Sequence, residues 1–409
     1  MISEPRLAYV WIWLPGGVEP IVCGKLDDDG KTIGFVYAQS YLARTDAVPI
    51  YEPELPLRRG PQFAVDGPRL PLCIDDAMPD SWGRTVINHR LGESTTDFGE
   101  LTYLLNSGSD RIGALDFQPA HDTYTFRGGP HPDLADLAEA ARRLQRGERL
   151  DSELSEALAQ GSSLGGARPK ALLRDAGRSL IAKFSSESDH YPVVQGEYVA
   201  MELARLCGLD VAPVEIRRTA GRYALLVERF DRESDGSRHR IVTALTVLGL
   251  NTFPSGRYAT YTSLADAIRA QFARPDADLH KLFARISFNI LCGNTDDHGR
   301  NHAAFVGDEL SLTPAYDICP QARGTEARQA MAFGRGTDGR AGAREARVGL
   351  LVSSAGEYHL VAKDARAIVD HQIAVIRSNW DDVCEAAELT AGQRDAFMET
   401  QFLNDYASS

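Results

Sequence analysis

The chain is short of positive charge: 44 Lys and Arg stand against 57 Asp and Glu, a formal net charge of −13 over 409 residues. That excludes a bulk electrostatic grip on nucleic acid or on an anionic membrane, though not a local basic patch. Long apolar runs are missing as well. No stretch approaches the roughly 20 apolar residues that a spanning helix needs. The most apolar early run, Leu7 to Leu14, lacks the basic start and small-residue cleavage site of a signal peptide. The six cysteines (Cys23, Cys73, Cys207, Cys292, Cys319 and Cys384) include no CxxC pair. A disulfide-stapled scaffold is therefore excluded, and reduced thiols packed in the core of a cytoplasmic protein are expected. There are no internal repeats. What remains is an ordinary globular composition, 43% apolar and 25% charged, at a length that suits two or three domains.

Residues 1–125 read as β-rich. Leu7–Leu14, Pro20–Cys23 and Thr32–Tyr37 carry β-branched and aromatic residues, and Asp27-Asp-Asp-Gly30 between them reads as a hairpin turn. The acid triplet invites a calcium-loop reading, but no further ligands follow at EF-hand spacing, so a solvated turn is expected. Pro79-Asp80-Ser81-Trp82 opens a helix running to Leu91, capped by Asp80 or Ser81, and Phe98–Leu105 is a second short helix. Arg111–Phe117 reads as a return to strand. His131–Arg146 places Leu134, Leu137, Ala141 and Leu144 on one helical face, and Ser152–Ala159 continues in the same manner. A soft boundary falls between about 120 and 160. Beyond it, Ala171–Leu173 and Leu180–Phe184 flank the turn Asp175-Ala-Gly177, a hairpin signature; Glu197–Cys207 follows as helix and Ala224–Phe230 as strand. From about 240 the pattern is mainly helical, with a long helix from Ala362 to about Cys384. It is interrupted at 323–347, Gly-rich with six Arg against three acids, which is either a solvated loop or a local phosphate-facing surface.

Chemistry concentrates in Gly293-Asn-Thr-Asp296-Asp297-His298-Gly299-Arg300-Asn301-His302. Burying its polar groups without partners costs on the order of 2–7 kcal/mol each, so packing alone does not account for them. Asp296 and Asn301 are five positions apart, the separation of catalytic Asp and metal-binding Asn in protein-kinase catalytic loops. The Asp handles the substrate hydroxyl proton while the Asn oxygen holds a metal beside the phosphates. A second acid arriving on a neighbouring strand completes such a site, and Leu310–Asp317 supplies Asp317 sixteen residues after Asn301. Ser162-Ser163-Leu-Gly165-Gly166-Ala-Arg-Pro-Lys170 is a small-residue turn entering a strand. It is able to ring an anion with backbone N–H groups, although it lacks the GxxxxGK[ST] order of a Walker A loop. Lys183 lies inside an apolar strand, where a lysine reaches phosphates in a kinase-like lobe; Glu197 or Glu202 is its candidate partner.

These residues resemble the HipA family of toxin serine/threonine kinases from bacterial type II toxin–antitoxin modules. Five blocks carry the resemblance in order: Ser163–Lys170, Leu180–Lys183, Val227-Glu-Arg-Phe-Asp231, Gly293–Asn301 and Pro314-Ala-Tyr-Asp317. Glu197-Tyr198 with Leu203–Leu209 resembles the intervening helix, and the first 125 residues resemble the family's fused β-rich subdomain. The resemblance implies an α+β, two-lobed, protein-kinase-like fold, divided into a β-rich subdomain (1–125), a nucleotide-binding lobe (126–235) and a helical lobe (236–409). It implies ATP and Mg2+ as cofactors, Asp296 as catalytic base, and Asn301 and Asp317 as metal ligands. Gly165, Gly166, Ala167, Arg168, Pro169 and Lys170 become the phosphate loop, and Lys183 a phosphate contact. Glu228, Arg229 and Phe230 fall at the adenine hinge, where backbone groups do the reading, with Asp231 facing the ribose. His298, Arg300 and Tyr316 flank the nucleotide.

Ser163, or its neighbour Ser162, matches the autophosphorylation serine, where added charge expels the loop. Two departures stand out: Arg168-Pro169 replaces a Gln-acid pair, and His302 stands where many members carry Phe. The implied partners are a helix-turn-helix antitoxin, which would supply the DNA contacts, and a protein substrate such as an aminoacyl-tRNA synthetase. Two other readings stay open: a kinase-shaped corepressor that transfers no phosphate, and a metal-dependent hydrolase using Asp296, Asp297, His298 and His302.

Overall fold

The computed structural model describes residues 4–65, 69–92, 97–128, 132–251, 255–322, 326–334 and 342–408. The chain forms two compact units, Met1–Ser188 with Arg217–Val242 and Asp189–Ile216 with Thr243–Ser409.

In the first unit, β1 (Leu7–Trp13), β2 (Pro20–Asp28), β3 (Ile33–Tyr37) and β4 (Leu115–Gln118) form an antiparallel sheet in the order β3-β2-β1-β4. Ala8, Val10 and Ile12 alternate along β1 and are fully buried, the period-two pattern of a packed sheet face. The acid triplet closes the β2–β3 hairpin, with Asp27 and Asp28 still in β2 and the turn beginning at Asp29. Asp28 Oδ1 accepts the Gly30 N–H, and Asp29 Oδ1 accepts those of Lys31 and Thr32, each at 2.8 Å. The longer helices of this unit are α1 (Ser81–Leu91), α2 (Glu100–Asn106), α3 (Leu134–Gln145) and α4 (Ser152–Gln160). Asp133 and Asp151 cap α3 and α4 by accepting the backbone N–H three residues on. The expected strand Arg111–Phe117 is corrected to Leu115–Gln118 alone. Arg111 is pulled inward instead, where its guanidinium bonds Asp116 and the carbonyls of Ala77 and Leu104.

A second sheet contains β5 (Lys170–Asp175), β6 (Arg178–Phe184), β7 (Val214–Thr219) and β8 (Arg222–Glu228), in the order β5-β6-β8-β7. The β5–β6 hairpin turns on Ala176 and Gly177, both at positive φ, the geometry that matches the strand twist. Trp82 and Val86 of α1, Leu137 and Leu144 of α3, and Leu158 of α4 share one core with Leu173, Leu180, Phe184 and Leu226 of this sheet. Full burial of each large side chain is worth about 1.5–3 kcal/mol, so α1 is fastened to the sheet that carries the glycine turn.

The second unit is built on α5 (Val193–Leu206), α6 (Tyr261–Gln271), α7 (Pro275–Cys292), α8 (Ala362–Ala386) and α9 (Ala391–Thr400), with α8 packed on α5 and α7. Helix α7 stops at Gly293 in the left-handed conformation. The loop that follows leads into an antiparallel pair, β9 (Ala303–Val306) and β10 (Leu310–Leu312). The Arg-rich segment 323–347 falls partly outside the described residues. Its described parts carry the paired strands β11 (Arg328–Phe333) and β12 (Ala343–Glu345). All six cysteines are buried and none is in a disulfide among the described residues, where also no helix is long and apolar enough to cross a membrane.

Candidate active site

The second unit gathers the kinase-loop residues. Between Gly293 and Asn301 the side chains alternate: Asp296 and His298 face outward, while Asp297 and Asn301 are buried. Asp297 is the anchor. Its Oδ2 accepts the Tyr261 hydroxyl at 2.7 Å, and its Oδ1 lies 3.0 Å from His302 Nε2. Burial alone raises a carboxyl pKa, but His302, the Tyr261 hydroxyl and the nearby Arg285 outweigh it, and Asp297 is held below its ordinary value. Asp297 and His302 therefore form a buried pair behind the loop and are not an open ligand set. Among the described residues no cluster of three His, Cys, Asp or Glu side chains is arranged to hold a metal.

With its neighbour anchored, Asp296 is presented at the surface. Crowding around its carboxyl raises its pKa; His298 opposes this, and the Asp317 and Asp297 carboxylates add to it. Asp317 is thus close enough to be felt at Asp296. Asn301 Nδ2 donates to the Asp296 carbonyl at 3.2 Å, which leaves the amide oxygen as the atom it can offer a cation. The Tyr316 hydroxyl donates to the Arg300 carbonyl at 2.6 Å, and Asn294 Nδ2 to the Asp317 carbonyl at 3.5 Å, tying the 294–301 loop to the 316–317 segment. Asp317 itself sits at φ 58, a conformation uncommon for a non-glycine residue though more accessible to Asp than to most. The structure therefore brings Asp296, Asn301 and Asp317 together with Arg300 and Tyr316. A carboxylate and an amide oxygen are the hard donors that Mg2+ takes.

The first unit holds the glycine turn. Gly166 has φ 100, a conformation open chiefly to glycine. Gly165 and Ala167 are exposed, Gly166 and Arg168 half-buried, and Pro169 and Lys170 buried. Lys170 lies directly opposite Lys183 in the β5–β6 register. Directly opposed side chains share a sheet face, so two positive charges are carried on one side of this hairpin. The Lys170 ammonium bonds the Gly165 carbonyl. Ser162 Oγ donates to the Ala159 carbonyl at 2.5 Å, whereas Ser163 Oγ is buried and has no hydrogen-bond partner among the described residues. Of the candidate partners for Lys183, Glu202 is bound to Arg205 three residues on, and Glu197 is buried.

The expected ribose contact at Asp231 is corrected. Its carboxylate accepts from Arg229 Nε at 2.9 Å and Nη2 at 2.7 Å, from Arg232 at 2.8 Å and from the Gly113 N–H at 2.8 Å. Arg229 also binds Asp110 at 3.0 Å, with its side chain fully buried. These two side chains face protein, and the Arg229 N–H is committed to the Ser179 carbonyl. Glu228 lies 3.9 Å from Arg178, and Phe230 is half-buried.

Four features were not foreseen in the sequence: the Asp297–His302–Tyr261 anchor, the opposed lysines, the Arg229 ion cluster, and Asp80. Asp80 heads α1 without a capping bond to that helix; its Oδ2 instead accepts the Gly166 N–H at 2.6 Å.

Known proteins resemble this chain in sequence and in fold. The HipA N-terminal domain family matches residues 18–118, and the HipA-like C-terminal domain family matches residues 162–380. Y4mE of Sinorhizobium fredii, named as a candidate kinase, is 29% identical over 97% of this chain and 96% of its own. The serine/threonine-protein kinase toxin HipA of Shewanella oneidensis is 27% identical over 63% of this chain and 65% of its own. A solved Shewanella oneidensis HipA, in a complex with HipB and operator DNA, matches with a TM-score of 0.68 at 22% identity, over 92% of both chains. The fold is accordingly α+β, two-lobed and kinase-like. With more than half its length matched by the C-terminal domain family alone, this chain belongs to the HipA family.

Proposed function

We propose that the chain is an ATP- and Mg2+-dependent serine/threonine protein kinase, the toxin component of a toxin–antitoxin module. The observation that carries this reading is the meeting of Asp296, Asn301 and Asp317 in one loop cluster of the second unit. Asn301 and Asp317 would hold the metal, which when bound neutralises phosphate charge. Asp296 takes the proton of a Ser or Thr hydroxyl as its oxygen bonds the γ-phosphorus and the bond to the β-phosphate oxygen breaks, releasing ADP. Lys170 and Lys183 supply fixed positive charge to the phosphates, and positioning does most of the work.

The nearby HipA–HipB–operator structure supports a helix-turn-helix antitoxin as partner, with DNA reached mainly through it. The family supports a translation protein, such as an aminoacyl-tRNA synthetase, as substrate. Ser163, buried and with no side-chain hydrogen bond among the described residues, is the better placed of the two serines for self-phosphorylation once the turn leaves its seat. The test is labelled phosphate transfer from ATP by the purified protein. Transfer lost in Asp296→Asn, and metal dependence lost in Asp317→Ala, are expected. Transfer unchanged in Asp296→Asn overturns the proposal.

A further inference from the structure

The glycine turn is gripped by α1 at three points. The Trp82 indole N–H donates to the Lys170 carbonyl at 2.9 Å, and Gly83 lies against the Ser162 carbonyl so closely that a Cβ there would overlap it. The third point is Asp80, whose carboxylate takes the Gly166 N–H at 2.6 Å and lies 3.1 Å from where a Cβ on Gly165 would be. A carboxylate on the N–H of a left-handed glycine turn occupies the place a phosphate oxygen takes in such nests. Lys170 meanwhile bonds the turn's own carbonyl at Gly165.

We propose that Asp80 is a resident anion in the phosphate turn, a built-in competitor that must withdraw before a nucleotide's phosphates can seat. The inference rests on the kinase reading of the turn and adds to it an internal brake. The α1 helix that delivers Asp80 also closes over Ser162 and Ser163, so nucleotide entry and release of the serine turn draw on the same contact. When the carboxylate leaves, the Gly166 N–H becomes available to phosphate, and one negative charge is removed from beside the incoming phosphates. Both changes favour binding of the charged part of the ligand and leave the base and sugar untouched.

The test is isothermal titration of the full-length protein and of Asp80→Asn and Asp80→Ser, with MgATP, tripolyphosphate and adenosine as separate probes. Asn and Ser keep the capping capacity of the position without the charge, and two replacements guard against one that misfolds. MgATP and tripolyphosphate should bind the variants about tenfold tighter, and adenosine unchanged. A gain in affinity is something that structural damage does not produce. Equal or weaker MgATP binding in folded variants overturns the brake and leaves the kinase reading standing, as does an equal gain for adenosine. MgATP failing to bind wild type and both variants overturns the kinase reading and the brake together.

Discussion

Asp231→Asn separates a structural ion cluster from a ligand contact. The wild-type carboxylate accepts four hydrogen bonds, three of them from Arg229 and Arg232, and is 2% exposed. Asparagine keeps the shape but turns one acceptor into a donor that faces other donors. It also leaves Arg229, Arg232 and Arg238 sharing Asp110 alone. Breaking a buried ionic cluster from one side costs about 3–5 kcal/mol, and that is the expected loss at pH 7. Tryptophan fluorescence in a urea titration reads it directly, since Trp11, Trp13 and Trp82 all lie in the first unit.

The pH dependence follows from the sign of the shift. Burial alone raises the Asp231 pKa, but Arg229 and Arg232 outweigh it and hold the folded value near 2, below its ordinary 3.8. The stabilisation is therefore complete above the unfolded pKa and is lost as pH falls toward the folded one. Between pH 5 and pH 3 the gap between wild type and variant should narrow by about 1 kcal/mol. A gap under about 1 kcal/mol at pH 7 refutes the reasoning, because the expected cost is several times larger. So does a gap that stays flat as the pH drops.

Three further outcomes are expected. In the pH–rate profile of phosphotransfer, activity should fall as pH drops through the Asp296 pKa. Burial and the Asp317 and Asp297 carboxylates raise that pKa, with His298 opposing, and a rate that stays flat as pH drops through the carboxylate range counts against Asp296 as base. Gly83→Ala forces α1 off the Ser162 carbonyl and should cost about 1–3 kcal/mol in chemical denaturation, with a neutral result denying the close approach. His302→Phe removes the imidazole that lies 3.0 Å from buried Asp297, leaving the Tyr261 hydroxyl bonded to it, and should cost about 2–3 kcal/mol in thermal unfolding. A variant as stable as wild type would mean that the pair contributes nothing.

Local chemistry made much of this legible in the sequence. The Asp175-Ala-Gly turn, the helix opening at Pro79-Asp80-Ser81 and the long helix from Ala362 all depend on short-range rules, and each formed close to its expected place. Strands of three to six residues in the second unit, such as Ala303–Val306 and Arg328–Phe333, were harder to see because too few residues alternate to show a period. Arg111 and Asp231 were misread for one reason: each is a charge satisfied by partners far away in sequence, which no local pattern reveals. The Lys170–Lys183 opposition was available in principle, since counting equal steps back from the Ala176-Gly177 turn reaches both lysines. Asp80 carried no such signal, because its role as the residue that opens a helix already explained its presence.

The cluster around Arg229 also bears on how this polypeptide can be divided. Asp110, from the early part of the chain, binds the guanidinium of Arg229, which lies just past the end of β8 and more than a hundred positions later, and Gly113 binds that arginine's partner Asp231. Cutting the gene near codon 125 would strip that arginine of one of its two carboxylate partners and open a polar wound at the end of the very sheet that bears the opposed lysines. The leading segment is thus less an accessory module than a missing wall of the same room, and a shortened version lacking it should be insoluble rather than merely unregulated.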